Sequence, residues 1–519
     1  MRSRVVEAFA ALVVVLTVCL TGGAARAQCV DWAAIGTPQN GINGRVNAVV
    51  VFDDGNGPDV YIGGQFSGVG AVPAFNIVRW DGATFSTLGT GVDSEVFALA
   101  VYDDGTGPAL YAGGRFNIAG GQPANKLAKW NGTAWSAVGT GFSGAEVRAL
   151  QPFAGALYIG GQFNISLPGA SALNLAAWTP GGWVRPGGQY NLSGGRVNAL
   201  TLHPVNGVTS LFIGGQSLFA NGPGPSIAGA VIRYDGFQYA SVGAEVSSGE
   251  VFSLASGMLG GQPALFAGGN LFVIGGQQVQ NLAVWTNTQW GAPIGGTSGR
   301  VWSLAWSNGR LIAGGEFQWA GSSQNQNTQA VAQYDAALGW LPISSRTPPL
   351  FIGARVLVVA HLTDALGPGL FIGGEFNRCA GVDARNIVRS TPGVGPMISG
   401  LSQGVASVSP GGSFTRTAFV SGTPPVSLRW HRNGQPVFDS ARISGATTPS
   451  LQVTDAQPGD TGVYTLVASS PCGLTTSAAT GIFVPEPSEC NPDFNGDGNV
   501  DQDDVAALTQ TVAGSPCPQ

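Results

Sequence analysis

A doublet of glycines recurs seven times inside stretches that otherwise have the composition of β-strands. Because glycine weakens a strand, a doublet in this place calls for a specific reason, and the usual one is the close approach of another backbone. Seven copies indicate an architectural reason, so we expect each doublet to lie in a strand that packs close to its neighbours. The doublets stand in LYAGGRF at Leu110, YIGGQF at Tyr61 and again at Tyr158, FIGGQS at Phe212, FAGGNL at Phe266, IAGGEF at Ile312 and FIGGEF at Phe371.

Alignment on these doublets defines a repeated unit with a period of 50 to 55 residues. In the second unit, turn-forming segments separate VFALAVY, ALYAGGRF, NKLAKW and AWSAVG, as in a four-stranded antiparallel sheet. The period suits the blades of a β-propeller and is too long for one coil of a β-helix. The units begin at Val46, Val96, Val147, Val197, Val251, Val301 and Val356.

The seventh unit ends without its fourth strand, after FIGGEFNRCAGVDARNIVRS. The segment CVDWAAIG, with Trp32 and Gly36, precedes the first unit and matches the missing strand. An N-terminal strand that completed the last unit would remove the open sheet edges that favour aggregation. The sequence therefore predicts a mainly β chain in which residues 28–392 form a seven-bladed β-propeller with N-terminal strand closure.

The repeated motifs are V-x-A-L, L-Y-x-G-G-x-F, L-A-x-W and W-x-x-x-G, and they resemble the kelch-like and galactose-oxidase-like propeller repeats of secreted bacterial proteins. The resemblance covers residues 29 to about 390. Galactose oxidase relatives hold copper with His, Tyr and Cys side chains. Here the histidines are His203, His361 and His431, spread over two units and the following domain, so we carry over the fold and no function.

A charged residue stands directly before the first strand of every unit, in a chain with only 10% charged residues. If the first strands line a central channel, these charges form a ring at one mouth. One interpretation is a structural ring of ion pairs between adjacent units, which we favour, and the other is a ligand-binding mouth. The charged positions are Arg45, Glu95, Glu146, Arg196, Glu250, Arg300 and Arg355.

The N-terminus predicts export. Residues 1–27 combine early arginines, the apolar run Ala8–Leu20 and the small-residue pattern Ala25-Arg26-Ala27, as in a secretory signal peptide. We therefore expect a secreted protein, extracellular or at a bacterial cell surface. The net charge of −6 argues against nucleic acid as a partner, and no later segment is long and apolar enough for a membrane span.

Removal of the signal peptide leaves five cysteines. In an oxidising compartment such cysteines favour disulfides over metal ligands. We expect Cys29 to pair with Cys379, because both belong to the last unit. We expect Cys490 to pair with Cys517, because they bracket the C-terminal segment. This pairing leaves Cys472 free.

Residues 396–484 resemble an I-set-like immunoglobulin domain. Trp430 matches the core tryptophan of such domains, and the motif Asp460-x-Gly462-x-Tyr464 matches their tyrosine corner. Ala418 and Leu466 stand where the usual cysteines between the two sheets would be. The predicted sandwich therefore depends on apolar packing, and we expect it to act as a spacer or adhesive module.

Residues 485–519 contain a linker and then CNPDFNGDGNVDQDDVAAL, which has the spacing of a calcium-binding loop. Oxygen ligands at positions 1, 3, 5, 7, 9 and 12 enclose one Ca²⁺, and Gly498 lies at the sharp turn. The segment resembles a single dockerin repeat; dockerins carry two, so binding to a cohesin is a weaker expectation than binding of calcium. The predicted ligands are Asp493, Asn495, Asp497, Asn499 through its carbonyl, Asp501 and Asp504.

These features favour a secreted or cell-surface binding or adhesion protein without enzymatic activity. The propeller would recognise an extracellular protein or polysaccharide, and the calcium module would serve attachment. The alternative is an enzyme that hydrolyses or cleaves extracellular polysaccharide on the same scaffold, since a fold does not determine function. Such an enzyme needs a carboxylate pair or a His, Tyr and Arg group on one face.

Overall fold

The computed structural model describes residues 30–36, 40–167, 170–222, 226–243, 247–292, 294–321, 328–336, 338–343, 354–379, 382–401, 404–423, 426–470 and 472–486. These residues divide into two compact units, one of Val30–Pro392 and one that begins at Gly393. Strands make up almost all of their regular structure, and the one helix among them is the short 3₁₀ segment Pro458–Asp460. The predicted signal peptide and Cys29 lie outside this part of the chain.

The first unit contains 35 of the strands. In chain order they are β1 (Val30–Ala34), β2 (Arg45–Asp53), β3 (Pro58–Gln65), β4 (Gly68–Val69), β5 (Val72–Pro73), β6 (Ile77–Trp80), β7 (Phe85–Thr87), β8 (Val96–Asp103), β9 (Pro108–Gly114), β10 (Ile118–Ala119), β11 (Gln122–Pro123), β12 (Leu127–Trp130), β13 (Trp135–Ala137), β14 (Ser143–Phe153), β15 (Ala156–Leu167), β16 (Ala170–Thr179), β17 (Gly182–Val184), β18 (Asn191–Val205), β19 (Val208–Asn221), β20 (Ile227–Tyr234), β21 (Tyr239–Ser241), β22 (Ser248–Leu259), β23 (Gln262–Ile274), β24 (Gln277–Gln278), β25 (Leu282–Trp285), β26 (Trp290–Gly291), β27 (Val301–Ser307), β28 (Arg310–Gly315), β29 (Val331–Asp335), β30 (Gly339–Pro342), β31 (Arg355–Asp364), β32 (Gly367–Glu375), β33 (Arg378–Cys379), β34 (Val382–Asp383) and β35 (Ile387–Pro392).

Most of these strands belong to seven antiparallel sheets, which we number 1 to 7 along the chain. Sheet 7 takes its fourth strand from β1, in which Trp32 is paired with Ser390 of β35. Short hairpins β4–β5, β10–β11 and β33–β34 accompany sheets 1, 2 and 7, and β24 pairs with β23 of sheet 5. The main ladders are β2-β3-β6-β7, β8-β9-β12-β13, β14-β15-β16-β17, β18-β19-β20-β21, β22-β23-β25-β26, β27-β28-β29-β30 and β31-β32-β35-β1.

The first glycine of each doublet lies where one sheet packs on the next. A Cβ atom on Gly63 of sheet 1 would stand only 2.6 Å from Val96 Cγ1 of sheet 2. The same relation recurs between successive sheets, and a Cβ on Gly373 of sheet 7 would stand 2.7 Å from Val46 Cγ1 of sheet 1. The first strand of each sheet contacts the first strand of the next, and β31 contacts β2. The valine that begins each unit therefore fills the space that the glycine leaves.

The second glycine of each doublet faces a backbone within its own sheet. A Cβ on Gly64 would stand 3.0 Å from the Arg45 carbonyl carbon and closer still to its oxygen. At this level the ladder between the first two strands shifts register, because Val46 pairs with Gly64 and Ala48 with Gly63 while Asn47 has no partner. The doublet thus permits both a β-bulge and close packing of the next sheet.

The structure corrects the predicted fold class. The described residues form thirteen separate small sheets, nearly all antiparallel, and none of these closes into a barrel, because each hydrogen-bonded ladder ends at its outer strands. We therefore replace the predicted seven-bladed β-propeller by a mainly β chain of many small sheets. The predicted addition of an N-terminal strand to the last unit is observed as the pairing of β1 with β35. The predicted calcium-loop and helix module falls on residues 487–519, outside the described part of the chain.

The second unit contains three further sheets. Its strands are β36 (Met397–Ser399), β37 (Gly404–Ser407), β38 (Phe414–Thr417), β39 (Phe419–Ser421), β40 (Ser427–Arg432), β41 (Gln435–Pro436), β42 (Ile443–Ser444), β43 (Ser450–Val453), β44 (Gly462–Ser470), β45 (Gly473–Thr476) and β46 (Thr480–Phe483). One sheet runs β37-β46-β44-β40-β41 with β45 on β44, another runs β38-β43-β42, and β36 pairs with β39. Strands β37 and β46 are parallel.

Apolar packing and one buried carboxylate hold this second unit together. Trp430 is fully buried in a cluster that includes Ala418 and Leu466, the two residues at the expected cysteine positions. The Tyr464 hydroxyl donates a hydrogen bond of 2.9 Å to the Asp460 carbonyl, as the tyrosine-corner motif predicts. Burial alone would raise the pKa of Asp460, but hydrogen bonds from Arg442 and the Gln457 backbone, with the charge of Arg432, outweigh it and lower that pKa.

Candidate functional site

The bulge described for sheet 1 is present at the same place in all seven first strands. In each sheet it follows the valine that begins the unit and leaves one residue without a partner across the ladder. Bulges redirect side chains, and they are frequent next to binding and active sites. The bulged residues are Asn47, Phe97, Arg148, Asn198, Phe252, Trp302 and Leu357.

All seven bulged residues line a single cavity of about 440 Å³. We call this cavity, together with the charged residues around it, the bulge pocket. Its volume lies within the range of small-molecule sites in proteins. The cavity is lined further by the small or branched side chain two positions after each valine and, in sheets 1 to 5, by the one three positions after it, such as Ala98 and Leu99 of sheet 2. The seven first strands therefore bring together residues that are far apart in the sequence.

An alternating series of eight charges borders the pocket. Each member forms an ion pair with the next, and the series crosses five sheets. Arg45 holds Glu375 at 2.9 Å and Glu95 at 3.4 Å, and Arg115 holds Glu146 at 2.7 Å and Glu95 at 3.6 Å. In order, the series is Glu316, Arg355, Glu375, Arg45, Glu95, Arg115, Glu146 and Arg148.

Two predicted charges form a separate pair, and a third lies apart from both groups. Arg196 Nε donates to Glu250 at 2.7 Å, and this carboxylate raises the pKa of Arg196 although burial opposes the shift. Asn198 donates to the same carboxylate at 2.8 Å. Arg300 precedes β27, and its carbonyl accepts a hydrogen bond of 2.9 Å from the Glu316 backbone. The structure thus places six of the seven predicted ring residues in ion pairs.

Two carboxylates of the series, Glu95 and Glu146, are more enclosed than the guanidinium groups they bind. The Glu95 and Glu146 side chains are 5% and 2% exposed, whereas Arg115 between them is 51% exposed. Burial alone would raise the pKa of Glu146, but Arg148 and Arg115 outweigh it and hold that pKa below its usual range. A solute that approaches this part of the pocket therefore meets arginine before it meets glutamate.

Aromatic side chains also line the pocket. The Phe252 ring stacks on Trp302 with centroids 4.3 Å apart and an angle of 17° between the planes. Phe97 lies beneath two guanidinium groups, with its centroid 5.2 Å from Arg115 and 4.7 Å from Arg148. Trp302 Nε1 is a buried donor without a hydrogen-bond partner among the described residues. The pocket thus offers charged groups and flat apolar surface within one cavity.

Sequence reasoning missed four charged members of this site. Arg115, Glu316 and Glu375 directly follow glycine doublets, and Arg148 occupies the x position of a V-x-A-L motif. Their alignment across the repeats was a signal that could have been found. In the structure, the residue after the doublet pairs across the ladder with the predicted ring residue of the same sheet, as Glu375 does with Arg355. These two positions supply every member of the series except Arg148.

The histidines do not assemble into a site. His203 is fully buried in sheet 4, and its ring nitrogens lie 2.8 Å from Ser256 Oγ and 2.9 Å from Asn287 Oδ1. Burial lowers the pKa of His203 although the contact with Asn287 opposes the shift. No group of three or more His, Cys, Asp and Glu side chains within the described ranges is arranged to hold a metal ion.

The cysteine predictions are corrected at one position. Cys472 forms a disulfide, so the prediction that it is free is wrong. Spacing along the sequence did not reveal this bond. Cys29, Cys490 and Cys517 lie outside the described residues, as do the predicted calcium ligands Asp493, Asn495, Asp497, Asn499, Asp501 and Asp504. Because Cys472 bonds to another cysteine, the predicted pairs Cys29–Cys379 and Cys490–Cys517 cannot both form once the signal peptide is removed. The binding of Ca²⁺ stays a prediction.

Comparison with known proteins locates the recognisable family in the second unit. Residues 400–480 match the immunoglobulin I-set domain. Hemicentin-1 of Mus musculus is 30% identical over 182 residues, which cover 34% of this chain and 3% of that protein. Hemicentin-1 of Homo sapiens is 31% identical over 104 residues, or 20% of this chain and 2% of that protein. The chain therefore spans only a small fraction of these relatives.

The similar solved structures are also immunoglobulin domains. The titin M3 domain is 29% identical, covers 18% of this chain and 99% of its own, and gives a TM-score of 0.16. The complex of titin M10 with obscurin-like 1 contains a chain that is 31% identical. The match covers 18% of this chain and 98% of that chain, with a TM-score of 0.17. The matched family and relatives do not show kelch-like or galactose-oxidase-like repeats or a dockerin, and we do not retain those assignments.

The comparisons bear on localisation as well. The relatives are mammalian proteins and give no support to the expected bacterial origin. Among the residues that the structure describes, no helix has the length and apolar character to cross a membrane.

The prediction made from Trp430, Asp460 and Tyr464 is confirmed: this chain carries an immunoglobulin I-set domain at residues 400–480.

Proposed function

We propose that this chain is an extracellular binding protein of the adhesion type, which recognises its ligand in the bulge pocket. The observation that carries the proposal is the contrast between constant and variable positions in the seven first strands. The residue before each bulge is always valine, and the residue after it is always Ala, Ser or Val. The bulged residue itself is Asn, Phe, Arg, Asn, Phe, Trp or Leu.

Packing explains the constant positions. Each valine meets the first glycine of a neighbouring doublet, so its volume is fixed by the sheet beside it. The bulged side chains are free of that restriction because they point into the cavity. Convergence of varied side chains on one cavity, on a scaffold that is otherwise repeated, favours recognition of a ligand.

The I-set domain supports the adhesion-type part of the proposal. Similarity to Hemicentin-1 is consistent with a protein that acts outside the cell, as is the predicted signal peptide at residues 1–27. We include in the proposal the C-terminal loop that begins at Asp493, which would bind Ca²⁺ and serve attachment. The partner would be an extracellular protein or polysaccharide.

The test is a binding screen of the full secreted chain against extracellular proteins and glycans, with release of products measured in parallel. Trp302→Ala should abolish binding of the ligand that the screen identifies, and thermal denaturation should show a variant that still folds, with a stability loss from the missing stack on Phe252. Phe237→Ala is the matched control, since Phe237 is 89% exposed in a turn of sheet 4. Binding that is unaffected by Trp302→Ala would contradict the proposal, and turnover of a polysaccharide would favour an enzyme.

A further inference from the structure

We propose that the bulge pocket takes a carboxylated sugar, such as a uronic acid unit of an acidic polysaccharide. This inference rests on the proposed function, because it names the class of ligand for the same site. Two features of the pocket carry it: half-exposed guanidinium groups at its border and the stacked aromatic pair Phe252 and Trp302 within it. Each feature is satisfied by a different part of such a ligand.

The guanidinium groups retain capacity for an anion. Arg115 directs Nε to Glu146 and Nη1 to Glu95, and its third nitrogen has no partner among the described residues. Arg355 is arranged in the same way between Glu316 and Glu375, and it is 50% exposed. Arginine presents its donors in a planar fork that matches a carboxylate, so these groups can bind one without breaking their ion pairs.

The glutamates of the series explain why the pocket would select a carboxylate at short range. They hold the arginine side chains in place and so reduce the conformational entropy lost when a ligand binds. They also bring the charge of the series close to neutral, so we expect short-range recognition of a carboxylate and a weak dependence on salt. The chain as a whole carries a net charge of −6, so the exposed arginines of the pocket are a local cationic feature of an acidic protein.

The aromatic pair selects the rest of the ligand. Rings of Trp and Phe offer flat apolar faces, and buried Trp side chains favour a hydrogen-bond partner for Nε1. Trp302 Nε1 lacks one among the described residues, and so does Asn198 Oδ1, which also borders the cavity. A sugar ring presents an apolar face to stack on Trp302 and hydroxyl groups to satisfy these two atoms.

The experiment measures binding of an oligogalacturonate to the full chain by titration calorimetry, with the methyl-esterified oligomer as the matched ligand. We expect the acid form to bind and the ester to bind at least tenfold more weakly. Arg115→Gln and Arg355→Gln should each weaken binding of the acid at least tenfold. Arg378→Gln is the control, because Arg378 forms an exposed ion pair with Asp383 outside the pocket.

Thermal denaturation of each variant separates lost binding from lost folding, and the use of two arginine variants keeps the test informative if one fails to fold. Equal affinity for acid and ester would overturn the inference, as would no binding of either. Preference for a glutamate peptide over the oligogalacturonate would also overturn it. The proposed function fails separately, when no ligand from the wider screen depends on Trp302.

Discussion

Substitution of the two glycines of one doublet should separate the two forms of close packing in the fold. In Gly63→Ala the new Cβ would stand 2.6 Å from Val96 Cγ1 and 3.4 Å from Leu99 Cδ1, so a buried valine must shift. Overpacking of this kind costs about 1 to 3 kcal/mol. The loss of chain entropy in the unfolded state returns about 0.4 to 1 kcal/mol. We expect a net destabilisation of about 1.3 kcal/mol from the midpoints of these ranges, and at most about 2.6 kcal/mol.

Gly64→Ala should destabilise the fold more than Gly63→Ala, because the new Cβ would meet backbone atoms. The Arg45 carbonyl cannot rotate away as a side chain can, and movement of Gly64 would open the bulge that positions Asn47. We expect the free energy of unfolding to fall by at least about 3 kcal/mol, which is beyond the usual range for overpacking. Gly181→Ala is the matched control, since its nearest atom would be Thr179 Oγ1 at 3.6 Å.

A second substitution tests the cause. Val96→Ala removes the atoms that Gly63→Ala would strike, so in a double-mutant cycle it should relieve about 0.5 to 3 kcal/mol of the damage. It should not relieve Gly64→Ala. The assay is calorimetric and chemical denaturation of the full chain, in which 1 kcal/mol corresponds to about 1 to 2 °C for a unit of this length. The reasoning is refuted if Gly63→Ala is as stable as Gly181→Ala, or if Val96→Ala rescues both variants equally.

Three other predictions concern separate parts of the chain. His203 has a pKa in the folded state below its unfolded value of about 6.5. Its contribution to stability is therefore present above that pH and is lost as the pH falls. The melting temperature should fall less steeply from pH 7 to 5 in His203→Gln than in the unchanged protein. Asp460→Asn should destabilise the I-set domain by about 1 to 3 kcal/mol, because the buried carboxylate binds two arginines, and denaturation in urea measures this. Calorimetry of the full chain should detect one bound Ca²⁺, which Asp493→Ala abolishes and Asp503→Ala retains.

Each of these predictions has an outcome that contradicts it. An unchanged pH dependence in the His203 variant would place the acid sensitivity in other groups. Full stability of the Asp460 variant would show that its ion pairs contribute nothing to the I-set domain. Equal loss of calcium in Asp493→Ala and Asp503→Ala would mean that the loop does not use the predicted coordinating positions.

Local structure could be predicted from this sequence because the repeats report it seven times. The four segments proposed for the second unit correspond to β8, β9, β12 and β13, since alternating apolar residues and turn glycines encode strand boundaries locally. Trp430 and Tyr464 identified the I-set domain because its core requires these side chains at fixed spacing. Family resemblance in the first unit was a weaker guide, and the fold class that it implied had to be corrected.

The bulges could not be predicted, because an unpaired residue such as Asn47 does not alter the apolar pattern of V-x-A-L. Register shifts depend on how two strands meet, and a single strand does not encode this. Arg115 escaped notice for a similar reason, since its partners Glu95 and Glu146 belong to another strand and another sheet. Ion pairs between sheets follow from packing, which the sequence specifies only in combination.

The bulges also bear on how such a chain can change over time. A residue that has no partner across the ladder can be replaced without disturbing the hydrogen bonds of the ladder, so Trp302 can mutate while the valine and glycines around it stay fixed. Duplication of the unit therefore multiplies recognition positions together with the framework that supports them. If the bulge pocket binds a ligand as proposed, its preference can drift by substitution at the bulged positions without a new fold, and contacting pairs such as Phe252 and Trp302 would change together.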